Sequence, residues 1–79
     1  MDVSRLKWQC RRGMLELDLM LEAFVERVWP TLNESERRSF EALLEYPDQM
    51  LFDYLLGDIK PTDGEMMRVI ERIRQSAAD

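Results

Sequence analysis

The stretch Cys10 to Asp18, CRRGMLELD, decides how the chain is read. Before it, Leu6 and Cys10 share a helix face at four-residue spacing. After it, Leu17, Leu21, Phe24 and Val28 recur at a helical period. Glycine weakens a helix and frees the backbone for a sharp turn. Gly13 therefore separates a first helix over Val3 to Arg11 from a second over Met14 to Trp29, which is expected to be the longest. Glu16, Asp18, Glu22 and Glu26 take the directions that the apolar stripe leaves free. Two helices joined at a glycine point to a helical bundle.

The rest of the chain continues that pattern. Pro30 stops the second helix, because proline disfavours helical geometry in the residue before it and has no amide for the ladder. Asn33 and Glu36 have the spacing of a capping box. They open a third helix that buries Phe40, Leu43 and Leu44 and should end near Tyr46. Pro47 restarts the chain, and Asp48 is the expected cap of a fourth helix carrying Leu51, Phe52, Leu55 and Leu56, closed by Gly57. Thr62 and Glu65 repeat the capping-box spacing before a fifth helix with the stripe Met66, Val69, Ile70 and Ile73. No segment shows the β-branched alternation of a strand, and there is no internal repeat. Residues 1–79 are expected to form one all-α domain, a small bundle of about five short helices, since the usual ~100–200 residues per domain leaves no room for two.

Composition narrows the function. A domain this small buries only about 60% of the surface of its unfolded chain, so a deep substrate cavity is not expected. The chain has no histidine, which removes the commonest general base and a common metal ligand. Glu22 and Glu26 lack the Glu-x-x-His partner of carboxylate metal sites in bundles and read as a solvated face. Cys10 is the single cysteine, so it forms no internal disulfide. It reads as a packing residue beside Leu6, although Arg11 and Arg12 would lower a thiol pKa. There is no glycine-rich phosphate loop and no calcium-loop spacing. No enzyme is expected, and no catalytic, cofactor-binding or metal-binding residue is assigned.

Charge is uneven: residues 1–12 carry +3, residues 13–67 carry −9 and the remainder +1, for a net −5. Such a body repels phosphate backbones. A helix-turn-helix is excluded on similar grounds, since the fourth helix presents Gln49, Asp53 and Tyr54 with no cation before Lys60. No apolar run approaches the ~18–20 residues that span a bilayer, and nothing resembles a signal or transit peptide, so the expected location is cytoplasmic. Met66 and Met67 sit at core spacing, whereas Met14, Met20 and Met50 do not fall on a buried stripe.

Arg12 and Glu16 stand four apart. They make either an intrahelical ion pair worth ~0.2–0.5 kcal/mol or, beside the bare backbone of Gly13, a recognition patch. The chain resembles the SdhE-type FAD assembly factors, called succinate dehydrogenase assembly factor 2 in mitochondria. Their Arg-Gly-x-x-Glu signature is matched by Arg12, Gly13 and Glu16 within RRGMLELD, Arg11 to Asp18. Trp8, Cys10, Leu43-Leu44-Glu45, the LFDYL segment from Leu51 to Leu55 and Lys60-Pro61 extend the likeness over nearly the whole chain. Departures are Tyr54, where bacterial relatives tend to carry tryptophan, and Pro47 and Met50 before the fourth helix.

The resemblance implies a helper that binds the flavoprotein subunit of succinate dehydrogenase, and in some bacteria fumarate reductase. It would promote covalent attachment of FAD to a histidine of that subunit. The helper would hold no FAD tightly and would act on FAD held by the partner. Arg12, Gly13 and Glu16 would lie at the contact with Arg11, Met14 and Leu15 as neighbours. Trp8 is a further candidate, or else a core anchor of the first helix. The implied partner set includes no nucleic acid and no direct membrane insertion, and the chain is expected to be a monomer. An antitoxin-like or regulatory protein–protein interaction module is the alternative, followed by a transcription-linked adaptor.

Overall fold

The apolar periods of the sequence converge on one core. The structure, a computed structural model, describes residues 3–78. Val3–Gln9 forms α1, Leu15–Arg27 α2, Glu34–Leu43 α3, Asp48–Leu55 α4 and Gly64–Ala78 α5, with a 3-10 turn at Trp29–Thr31. No strand occurs among the described residues. α2 packs along α5; α3 lies against α5, α1 against α2, and α4 against both α2 and α5. Leu6, Cys10, Leu17, Leu21, Phe24, Phe40, Leu43, Leu51 and Ile73 are buried at its centre. Phe24 and Trp29 both pack on Phe40, at centroid distances of 4.9 and 5.9 Å, joining α2, the 3-10 turn and α3.

Several boundaries differ from expectation, each for a local reason. α1 stops at Gln9 rather than Arg11, because the chain tightens through Cys10 N–H to Lys7 O and Arg11 N–H to Trp8 O, both 3.1 Å. Met14 is extended (φ −118°, ψ 98°) and stands before α2, not in it. α2 ends at Arg27, and Pro30 sits in the first turn of the 3-10 helix, where its missing amide is harmless. The longest helix is α5 with 15 residues, against 13 in α2.

The capping box of α3 forms as read. Asn33 Oδ1 accepts from Glu36 N–H at 2.8 Å, and Glu36 Oε1 accepts from Asn33 N–H at 2.9 Å. The second oxygen of Glu36 accepts from Arg72 on α5 at 2.8 Å. α3 ends at Leu43, short of Tyr46, and Pro47 rather than Asp48 occupies the N-cap of α4. The buried phase of α4 is Leu51, Tyr54 and Leu55, while Phe52 and Leu56 are half-buried. Tyr54, expected on the outer face, instead packs 5.8 Å from Tyr46. Gly57 is required by crowding, since a Cβ there would stand 2.8 Å from Asp53 O. Met67, expected in the core, is only half-buried. No described helix is long and apolar enough to cross a membrane.

The cap of α5 is shifted by one residue. Asp63 Oδ1, not Thr62, accepts from the amides of Glu65 (2.9 Å) and Met66 (3.4 Å). Asp63→Ala is therefore expected to cost about 1 kcal/mol, or ~4–8 °C of Tm in a domain of this size, with Thr62→Ala near zero. Thermal unfolding followed by circular dichroism decides between them, and the reverse order would refute this cap.

Candidate functional site

The loop between α1 and α2 is shaped by one backbone angle. Gly13 has φ of 80°, whereas no other described residue has a positive φ. An L side chain in that region costs roughly 1–2 kcal/mol. A Cβ at Gly13 would meet nothing within 4 Å, so the conformation and not crowding demands glycine, and the space beside it is open. Asp18 reaches back from the first turns of α2 to hold this turn. Its Oδ1 accepts from Arg12 N–H at 2.9 Å and its Oδ2 from Gly13 N–H at 3.1 Å.

Arg12 points away from Glu16, and the intrahelical ion pair does not form. Its Nε donates to Gln9 O (2.9 Å), its Nη1 to Tyr46 O and Asp48 Oδ1 (both 3.2 Å), and its Nη2 to Leu44 O. Gln9 is the last residue of α1, Leu44 the C-cap of α3 and Asp48 the first residue of α4. Carbonyls at helix C-termini lack intrahelical donors and lie at the negative end of the dipole, so a planar cation satisfies them well. The Arg12 side chain is only 15% exposed.

The neighbours of Arg12 face solvent. Arg11, Gly13 and Glu16 are exposed, Leu15 is 77% exposed, and Met14 is half-buried against the core. Trp8 is 74% exposed, which overturns its reading as a core anchor. Leu6 fixes α1 instead, with Lys7 reaching Glu26 at 3.5 Å. An exposed tryptophan and an exposed leucine thus flank the Gly13 turn, and large aromatic and aliphatic side chains of this kind anchor interfaces. Leu19, one turn beyond Leu15, is also exposed. With Glu16, Met20 and Arg27 it lines an open groove of about 560 Å³ walled by the end of α5. The sequence reading did not assign Leu19, although its signal was available: Leu15 and Leu19 are apolar but off the phase of Leu17, Leu21 and Phe24.

Cys10 faces the core, 1% exposed. Burial pushes its thiol from 9.0 up to about 12, against the pull of the Arg12 charge and with smaller upward contributions from Asp18 and Glu22. It remains a neutral packing residue.

Comparison with known proteins gives the family. The family described as "Flavinator of succinate dehydrogenase", Sdh5, matches residues 4–77. The chain belongs to the Sdh5 family. Among its relatives, the FAD assembly factor SdhE of Coxiella burnetii is 44% identical over 72 residues, covering 91% of this chain and 88% of the relative. The protein of the same name from Pectobacterium atrosepticum is 43% identical over 76 residues, covering 96% and 86%. That from Shewanella oneidensis is 38% identical over 78 residues, covering 99% and 95%. In this Sdh5-family chain the Arg-Gly-x-x-Glu match divides in space: Arg12 is turned inward, while Gly13 and Glu16 lie outside.

Two outcomes follow for this member of the Sdh5 family. Arg12→Lys should lower stability by about 1–3 kcal/mol in urea unfolding, because one ammonium cannot replace a fork that serves three carbonyls. A change below ~0.5 kcal/mol, the size of an ordinary surface substitution, would remove Arg12 from this bracing role. Cys10 should resist thiol reagents at pH 8 in the folded chain and react once unfolded. Between pH 9 and about 12 the unfolded chain holds fewer protons than the folded one, so stability should fall as pH rises through that window.

Proposed function

We propose that this chain is an assembly factor. It binds the flavoprotein subunit of succinate dehydrogenase, and of fumarate reductase where present, and promotes covalent attachment of FAD to a histidine of that subunit. Family membership over residues 4–77 carries the reading. The exposed Gly13 turn, with Trp8 and Leu15 beside it, supplies a surface for a protein partner. Trp8, Arg11, Gly13, Met14, Leu15 and Glu16 form the contact, over Arg12.

The bond-forming chemistry, between the flavin 8α-methyl carbon and an imidazole, belongs to the partner and its FAD. Orientation of two such groups can contribute up to about 7–11 kcal/mol to lowering a barrier. With no histidine of its own, this chain is not the histidyl acceptor. Its residues bind and hold the partner's capping domain in the attacking geometry and transfer no proton.

The concave surfaces fit this division of labour. The pocket between α3 and α5 holds about 160 Å³, below the ~300–1,000 Å³ of usual ligand sites. In the larger groove beside Glu16, Arg74 is already bonded to Leu55 O and Gly57 O, so it is not free to cradle a pyrophosphate. On the family reading FAD is assigned to the partner. The chain acts as a cytoplasmic monomer on that partner.

The test is in-gel flavin fluorescence of denatured extracts from cells with the chain, without it, and with Gly13→Arg or Gly13→Ala. Both variants carry the same backbone strain, about 1–2 kcal/mol, but only arginine adds bulk to the open space. Covalent flavin should fall without the chain, and further with Gly13→Arg than with Gly13→Ala, while far-UV helicity stays native. Glu16→Ala should weaken partner binding with a stability change under about 1 kcal/mol. Undiminished covalent flavin in cells lacking the chain would overturn the proposal.

A further inference from the structure

Arg12 and Glu16 look equivalent in the Arg-Gly-x-x-Glu match, yet their side chains do opposite things. Glu16 is exposed and has no ion pair among the described residues. The Arg12 guanidinium makes four hydrogen bonds within the chain. Asp18, outside the match, uses both carboxylate oxygens on the amides of Arg12 and Gly13. The loop is thus gripped from two sides. Asp18 holds its backbone to α2, and Arg12 ties it to the ends of α1 and α3 and the start of α4.

We propose that Arg12 and Asp18 are positioning residues of the partner surface: they lock the Gly13 turn in one conformation and so present Leu15 and Glu16, without touching the partner themselves. The inference rests on the assembly-factor reading above. Glycine has the most backbone freedom to lose, and Met14 at the N-cap of α2 supplies no capping side chain. Without the carboxylate the amides of Arg12 and Gly13 lose their acceptor, and the Arg12 side chain alone ties the turn to the rest of the chain. A partner would then have to order the turn on binding, which weakens affinity although no contact is lost. Charge-assisted bonds to two successive amides suit this holding role.

The experiment uses the full chain and a purified flavoprotein subunit of succinate dehydrogenase, with affinity measured by calorimetry for wild type, Asp18→Ala, Asp18→Asn, Glu16→Ala and the Asp18→Ala/Glu16→Ala pair. Amide hydrogen exchange at Arg12 and Gly13 is followed in the free chain. Asp18→Ala is expected to weaken binding roughly 5- to 30-fold, the equivalent of one residue left to be ordered. Asp18→Asn, which keeps one carbonyl acceptor, should lie between it and wild type, and both amides should lose protection. The double variant should bind more tightly than the product of the single losses predicts, because a carboxylate that is no longer presented has little left to lose. Wild-type affinity in Asp18→Ala, or losses that simply multiply, would overturn the inference. If Asp18→Ala does not fold, Asp18→Asn carries the same comparison. A wild-type chain that fails to bind the subunit would sink the functional reading and this inference with it. Normal wild-type binding with unaffected Asp18 variants would sink the inference alone.

Discussion

Three helix ends meet at the guanidinium of Arg12. α1 has seven residues and α4 eight, lengths at which an isolated helix is not stable in water. A bundle of such short pieces carries many terminal carbonyls that its own ladders cannot satisfy. Arg12 answers those of Gln9 and Leu44 at once and adds the Tyr46 carbonyl of the α3–α4 connection and the Asp48 carboxylate. Arginine does similar work elsewhere. Arg74 closes the end of α4 through Leu55 O and Gly57 O, and Arg37 donates to Trp29 O while its guanidinium lies 4.8 Å over the Trp29 ring.

This internal use of cations changes how the charge pattern is understood. The N-terminal residues carry +3 by count, which on paper looks like a basic patch. In the folded chain Arg12 is shielded and faces Asp48, and Lys7 pairs with Glu26. Arg5 and Arg11 remain as exposed cations of that segment, and beside the Gly13 turn lie the exposed Glu16 and the apolar surfaces of Trp8 and Leu15. Opposite charges beside apolar anchors favour a defined docking register over general attraction to an anionic surface.

The helices were legible from their apolar periods, and the Asn33–Glu36 cap from its spacing, because both are local. Core residues Leu17, Leu21, Phe24, Phe40, Val69 and Ile73 fell where the period put them. Errors gathered at helix ends, where the decision depended on atoms distant in sequence or on a one-residue choice between caps. Asp63 and Thr62 are both capping residue types, Thr62 has the capping-box spacing to Glu65, and only the folded backbone shows that it is the Asp63 carboxylate that meets the amides. Pro47 displaced Asp48 from the cap of α4, and Asp48 instead faces Arg12, a partner 36 positions away. At the candidate site, the motif pointed to the loop between α1 and α2 but not to the inward turn of Arg12 or the bonds from the loop's amides to Asp18. Both depend on contacts between separate elements, which spacing alone does not encode. Trp8 was equivocal for the opposite reason: aromatic residues anchor cores and interfaces alike, and its exposure removes the core reading.

The two oxygens of Glu36 are committed to interactions of very different range. One closes the first turn of α3 with its near neighbour Asn33, while the other meets Arg72 across 36 positions. Local turns form in about a microsecond or less, whereas contacts between distant segments await collapse of the chain. A carboxylate held by its own helix start has less side-chain freedom to lose in meeting Arg72. One carboxylate thus couples the cap of α3 to the side of α5, so that fraying at the start of α3 and loosening of the C-terminal helix are linked rather than independent events.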